Sequence, residues 1–393
     1  MAGPAVAPEV RELSHRLLPE SDELGARMAQ RICAEVPLYA EGSVVSIEEL
    51  TTSCTDNVRF VLGKLAGHEE RADRAWLTGT ERAERGVPYA AVLEAYRIGA
   101  RFLWDLLVQR ADSEAREVLL LAAADLWTVS DELAGQVTDA YRAALAELAR
   151  RDDQRRSVIV GALLDGETTA SPDLAESMES LHIDRGGDFV VVSAECPAAG
   201  ADGLHDVERE LRRHNLTSAW RLEHGQQDGL VALRLGFGVD ELVEALTSLA
   251  RGRVGVSVVF HLLEEAPAGR RQARLASLAA TPGSREVLRF EEHPLAVLLA
   301  STPERADALV RAVLGPVLEL PSEDRAVILQ TVQAWLDAGG STSTAAQHLY
   351  VHRNTVRYRL RRFEELTGCN LAKPIDAAQA YVSLESARVL GLG

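Results

Sequence analysis

The chain has 393 residues, 47% hydrophobic and 26% charged, with 59 acidic against 42 basic residues and a net charge of −17. That length exceeds one ordinary domain and predicts two to four, each burying its own core. The acidic balance excludes nucleic-acid or membrane binding over the whole surface, so any such contact has to be local.

Lys64 and Lys373 are the only lysines, so nearly all positive charge is arginine. Cys33, Cys54, Cys196 and Cys369 are far apart and belong to no CxxC or Cys/His cluster. They read as free thiols of a reducing compartment, with no metal and no cofactor implied. "MAGPAVAPEVRELSHRL" lacks the basic start and apolar core of a signal peptide. No apolar run reaches the ~18 residues of a membrane span. The expectation is a soluble cytoplasmic protein without a membrane partner.

Residues 1–150 read as helices, clearest over 21–36 and 46–66. After Pro88, Leu93, Tyr96, Ala100, Leu103 and Leu107 recur at helical spacing and predict one apolar stripe. A longer helix follows over about 114–156, with Leu126, Val129, Leu133, Val137, Tyr141, Ala144 and Leu148 on its stripe. It closes on "RRDDQRR", solvated at every angle. Such a helix is either a connecting rod that pairs with a copy of itself or a core helix followed by a surface linker.

The texture changes near residue 186. "DFVVVSAE" (188–195), "GLVALRLG" (229–236) and "RVGVSVVF" (253–260) read as strands, and 203–214 and 239–250 as helices between them. Strands interleaved with helices predict an α/β domain. From about Ser284 helices return, punctuated by Pro294, Pro303, Pro316 and Pro321. One of them opens on Ser322 as its capping residue and stops at Gly339-Gly340.

The densest signal is "STAAQHLYVHRNTVRYRLRRFEEL", from Ser343. Two helices fit, about Thr344–Tyr350 and Arg353–Leu366, with a tight turn at Val351–His352. Ala346 and Val356 have the ten-residue spacing at which a helix-turn-helix packs a small residue against a branched one. Tyr350 stands where that motif often has glycine. On a wheel of ~100° per residue, Val356, Leu360 and Phe363 form a core face, to which Ala346 and Leu349 of the first helix belong. Asn354, Tyr358 and Arg361 lie opposite, flanked by Arg357, Arg362 and Thr355, while Arg359 falls nearer the core. Cations, an amide and hydroxyls on one face suit phosphates and base edges in a major groove. Residues of the first turn, His352 to Thr355, project deepest if the helix enters end-first. Residues 341–373 hold six basic and two acidic groups, so the rest of the chain carries −21.

The stretch 314–371, most specifically "HLYVHRNTVRYRLRRFEELTG", resembles the C-terminal domain of PucR/CdaR-type bacterial transcriptional regulators. The resemblance implies a Fis-like helix-turn-helix in which His352, Arg353, Asn354, Thr355, Arg357, Tyr358 and Arg361 face double-stranded DNA. "VIVGALLDG" and "GGDFVVVSAE" are similar to the GGDEF-like domain of such regulators. A working cyclase needs its GG-acid-acid-Phe signature on an internal β-hairpin and an acidic metal ligand just after the first strand. Gly186-Gly187 instead precede that strand, which ends in "AECPAAG", so the implied role is structural or dimer-forming. The N-terminal helices resemble the sensor domain of RsbR-type stress-response proteins, which implies a globin-like bundle. His15 and His68 are its only histidines, and lone histidines in helical segments are an unpromising haem site.

The sequence thus predicts a mainly α, multidomain chain: a helical sensor or regulatory domain over 1–150, a degenerate GGDEF-like α/β domain over 157–290, and a helical region over 291–393 with a helix-turn-helix core at 322–390. The expected function is a non-enzymatic DNA-binding transcriptional regulator, a homodimer or higher oligomer, controlled by a small-molecule or protein effector at the N-terminal domain. Two competing readings are a partner-docking stress-signalling protein whose arginine helix serves only packing, and a nucleotide-cyclising enzyme in the middle domain.

Overall fold

A computed structural model describes residues 6–69, 73–167, 178–181, 183 and 186–392. The chain divides into two compact units, Met1–Asp153 and Gln154–Gly393.

The first unit is helical: α1 (Pro8–Leu17), α2 (Ser21–Glu35), α3 (Pro37–Ala40), α4 (Ile47–Leu65), α5 (Asp73–Glu84), α6 (Tyr89–Arg110) and the first part of α7 (Ser113–Asp165). A reciprocal capping box starts α4: the Glu49 N–H donates to Ser46 Oγ (3.2 Å) and the Ser46 N–H to the Glu49 carboxylate (3.1 Å). The stripe predicted on α6 is displaced. Leu103 and Leu107 are buried, but Leu93, Tyr96 and Ala100 are only half-buried, and Val92, Ala95, Ile98, Gly99, Phe102 and Leu106 complete the buried set. The helix buries a wider arc than one stripe, so spacing alone picked the arc's edge.

Leu126, Val129, Leu133, Val137, Tyr141 and Ala144 of α7 lie in the first unit's own core. That stripe is therefore occupied within the unit and is not a seam for a second copy. The helix also runs beyond 156. Residues 150–155 are exposed but remain helical, and Val160, Leu163 and Leu164 are buried in the second unit. Solvation of a short arginine and aspartate run does not stop a helix when no glycine or proline interrupts it.

The second unit holds β1 (Asp188–Glu195), α8 (Val207–Arg213), β2 (Thr217–Glu223), β3 (Gln226–Leu233), α9 (Val239–Leu249), β4 (Val254–Val256), α10 (Ala266–Ala279) and β5 (Val287–Arg289). The sheet order is β2-β3-β1-β4-β5, antiparallel except for the parallel β4–β5 pair. β1 is central and covered on both faces: Phe189 and Val191 belong to one apolar cluster, Val190, Val192 and Ala194 to the other. This is why it reads as a continuous apolar run. The second predicted strand is shifted to 226–233, and the third shrinks to three residues. β2 and β5 carry too little apolar periodicity to be seen in the sequence. At Gly255 a Cβ would sit 2.0 Å from the Ala273 carbonyl oxygen, so α10 can cross β4 only over glycine.

A buried ionic network ties this region together. The Asp228 carboxylate, 1% exposed, accepts from Ser193 Oγ (2.6 Å), Arg270 Nε (2.8 Å) and Arg274 Nη2 (2.7 Å). Arg270 also reaches Asp165 at the end of α7 and Glu223 on β2.

Six helices complete the unit: α11 (Pro294–Ser301), α12 (Pro303–Leu318), α13 (Ser322–Asp337), α14 (Thr342–His348), α15 (Arg353–Thr367) and α16 (Pro374–Leu390). Ser322 is not the cap predicted for α13. Pro321 holds that position and no side chain caps it. Pro316 lies inside α12 rather than ending it. It sits in the last turn, where losing one backbone hydrogen bond costs least. Helix α14 begins two residues earlier than the spacing suggested. Tyr350, in the turn after it, adopts a left-handed φ of 54° with its side chain 96% exposed.

Two stability outcomes are expected. Asp228→Ala leaves Arg274 without its carboxylate and Arg270 with only Asp165 and Glu223, and should lower stability by about 3 kcal/mol, read as a lower urea midpoint for the second unit. Tyr350→Gly removes left-handed strain without losing a packed side chain and should raise stability by roughly 0.5–1 kcal/mol in the same assay.

Candidate nucleic-acid interface

Helix α15 is placed by what it buries. Val356 and Phe363 are fully buried and Leu360 nearly so, in one cluster with Ala346 of α14, Val332 of α13, and Val310 and Leu314 of α12. Leu349 packs half-buried on the same cluster. The core of the helix-turn-helix thus draws on α12, upstream of the predicted core at 322–390.

Both ends of the two helices are fixed locally. Ser341 Oγ accepts from the Thr344 N–H (3.2 Å) at the start of α14. At the start of α15, His352 Nδ1 accepts from the Asn354 N–H (3.2 Å). His352 is thus an N-cap, which turns one ring nitrogen back to the helix. Gly368, at φ 71°, closes α15, its N–H donating to the Glu364 carbonyl (2.9 Å).

The opposite face is polar and open. His352, Arg353, Asn354, Arg357, Tyr358, Arg361 and Arg362 are exposed and Thr355 is half-buried. Arg353, Arg357 and Arg361 have no acidic partner within 4 Å among the described residues. Arg362 differs, standing 3.6 Å from Glu365 on the same helix. Arg359 also differs: half-buried, it directs Nη1 to Thr331 Oγ1 (3.4 Å), back toward α13. Glu364 faces away from the site, accepting from the Leu371 N–H (2.8 Å).

The first turn of α15 carries no acid, although that is where a helix dipole favours one. The Asn354, Thr355 and Val356 N–H groups turn back to His352, so the donors exposed at the start of α15 are the Arg353 and Asn354 side chains. A phosphate oxygen satisfies such donors, and base edges match arginine and asparagine in bidentate fashion. Gln347, His348 and Tyr350 are exposed on the α14 side of the same turn. The wheel of α15 could not include them; their position beside the turn is the signal that finds them.

Three family descriptions match the chain in order. Residues 22–156 match the RsbT co-antagonist protein rsbRD N-terminal domain, 165–277 the GGDEF-like domain, and 328–386 the PucR C-terminal helix-turn-helix domain. An uncharacterised protein of Mycobacterium tuberculosis is 26% identical over 308 residues, 75% of this chain and 72% of its own. The transcriptional activator PmfR of Paenarthrobacter nicotinovorans is 25% identical over 253 residues, 64% of this chain and 50% of its own. The carbohydrate diacid regulator of Escherichia coli is 33% identical over 97 residues, 24% and 25% of the two chains. Domain for domain, the chain is similar to an RsbRD-type helical N-terminal domain, a GGDEF-like middle domain and a PucR-type C-terminal helix-turn-helix, in that order.

Proposed function

We propose that the chain regulates transcription by placing α15 in the major groove of double-stranded DNA, as a homodimer on a palindromic site. The observation that carries this reading is the exposed face of α15, where Arg353, Arg357 and Arg361 lack ion-pair partners while the opposite face is buried. A helix serving only packing has no use for three unneutralised guanidinium groups in a chain of net charge −17. Arg353 and Asn354 read bases; Arg357, Arg361 and Tyr358 hold the backbone; His352 and Thr355 fix the entry turn. Arg362 adds a weaker contact because Glu365 competes for it. One such helix spans a few base pairs, so two copies read half-sites ~34 Å apart.

We propose no catalysis in the middle domain. The hairpin between β2 and β3 turns at His224-Gly225, without a GG-acid-acid-Phe signature. The acid at the end of β1, Glu195, is held by both Arg253 Nε (2.8 Å) and Nη2 (2.9 Å). That bidentate pairing keeps its carboxyl below the usual range and occupies the oxygens a metal would need. The N-terminal domain is the regulatory input, answering to a small molecule or a protein.

Operator DNA selected from a pool of genomic fragments tests the first reading. Arg353→Ala and Asn354→Ala should each weaken specific binding by roughly 10–100-fold with little change in non-specific binding or melting temperature. Arg357→Ala and Arg361→Ala should weaken all sequences alike and reduce the salt slope by about one. Intact discrimination in both first-turn variants would sink the docking geometry. Incubation of the whole protein with GTP and Mg²⁺ should yield no cyclic dinucleotide; its appearance would overturn the non-enzymatic reading.

A further inference from the structure

The first unit contains a pocket of about 50 Å³ among α2, α4, α5, α6 and α7. Its apolar wall includes Met28, Ile32, Leu103 and Leu133. Its polar side holds Arg82, which is 2% exposed. One Arg82 nitrogen, Nη2, makes a long hydrogen bond to Ser53 Oγ (3.4 Å). The other, Nη1, meets no partner in hydrogen-bond geometry among the described residues, with the Tyr39 hydroxyl beside the guanidinium. The Tyr96 hydroxyl and Ser130 Oγ line the same cavity, are equally buried and are equally unpartnered. Asn57 stands beside Tyr96 but outside hydrogen-bond geometry.

Buried polar atoms are almost always hydrogen-bonded, and a buried charge is almost always paired. Three orphaned atoms on one small cavity, one of them on a guanidinium, break both rules at one place. No aspartate or glutamate is among the described residues that line the cavity, so a small anion would supply the partner that the Arg82 guanidinium lacks. Burial pushes the Tyr96 phenol well above its ordinary value, so it stays an O–H and can donate. Ser130 supplies a second hydroxyl. A carboxylate accepts from a guanidinium and two hydroxyls at once. A phosphate dianion would face one cation only and an apolar wall. The volume admits a few heavy atoms, which rules out a sugar or a nucleotide.

We propose that this cavity binds a short-chain aliphatic carboxylate of the size of acetate or propionate. Its carboxylate takes Arg82 Nη1, Tyr96 and Ser130, and its alkyl end rests on Met28, Ile32, Leu103 and Leu133. This rests on the reading of the N-terminal domain as the regulatory input and names the chemistry that input accepts.

The full-length protein is melted with increasing sodium propionate, propionamide or sodium chloride at matched ionic strength. Propionate should give a saturable rise in melting temperature; propionamide and chloride should not. Arg82→Met should abolish the response. Because that variant changes a buried site and its folding is at risk, Tyr96→Phe and Ser130→Ala supply the second test. Each should bind propionate roughly tenfold more weakly, the worth of one hydrogen bond to a charged group. An unsaturable response, an equal response to propionamide or chloride, or unchanged affinity in both hydroxyl variants overturns the proposal and leaves ordered water as the cavity's content. Operator binding is measured on the same samples. Operator binding without propionate binding rejects this site alone, whereas propionate binding without operator binding rejects the DNA-binding reading alone.

Discussion

Burial of Val356, Leu360 and Phe363 is the interaction on which the exposed arginine face of α15 depends. Left to itself, α15 is a poor helix. Arg353, Arg357 and Arg361 follow one another at four-residue spacing, where like charges repel. Its first turn carries an arginine where the dipole favours an acid. Fifteen residues are also near the lower limit for a helix standing alone. Three buried apolar side chains, at about 1.5–3 kcal/mol each, outweigh these terms, which run to a few tenths of a kcal/mol per pair. The core therefore holds in place a charge arrangement that is unfavourable in water and becomes favourable against a polyanion.

The two units treat buried polar groups in opposite ways. In the second, Asp228 is almost completely enclosed, and hydroxyl and guanidinium donors meet its oxygens. That network links the end of α7, β2, β3 and α10 through Arg270 and leaves nothing for a ligand to complete. In the first, Arg82 is as deeply buried, yet half of its guanidinium is left without a partner. A satisfied network rigidifies; an unsatisfied one costs stability until something fills it. The contrast separates a buried network that is satisfied from one that is not.

Much of this was legible in the sequence, and the failures share a cause. β1 and α15 were visible because each writes its environment into its pattern: an unbroken apolar run for a strand covered on both faces, a clean two-faced wheel for a helix covered on one. The stripe of α7 was legible for the same reason. α6 misled because it buries a wide arc, so Leu93, Tyr96 and Ala100 at its edge matched the spacing as well as the true core positions. β2 and β5 were invisible because short strands draw their stability from neighbours rather than from their own periodicity. Tyr350 looked like a mere departure from a glycine preference. Its left-handed backbone shows that the turn keeps its geometry and tolerates the strain. Arg82 left no trace at all, since nothing in "LTGTERAERG" distinguishes a buried arginine from the many exposed ones.

What sets α15 apart is then that its exposed arginines at 353, 357 and 361 meet no acid among the described residues, its glutamates coming only at 364 and 365. Elsewhere arginines commonly end on carboxylates, as Arg85 does on Glu49, Arg110 on Glu20, and Arg253 on Glu195. Such pairs neutralise charge locally and leave the acidic excess to set the long-range field. Residues 341–373 reverse the sign over a short stretch while the remainder keeps −21. For the proposed DNA partner, such a charge distribution disfavours approach over most of the surface and favours it at one helix. Selection of that kind fades with ionic strength over a Debye length of ~8–10 Å, whereas the base contacts proposed for Arg353 and Asn354 depend on hydrogen-bond geometry rather than on long-range charge. On that reading, the electrostatics of the whole chain governs how the helix would approach, and the buried stripe of α15 governs which side chains it presents.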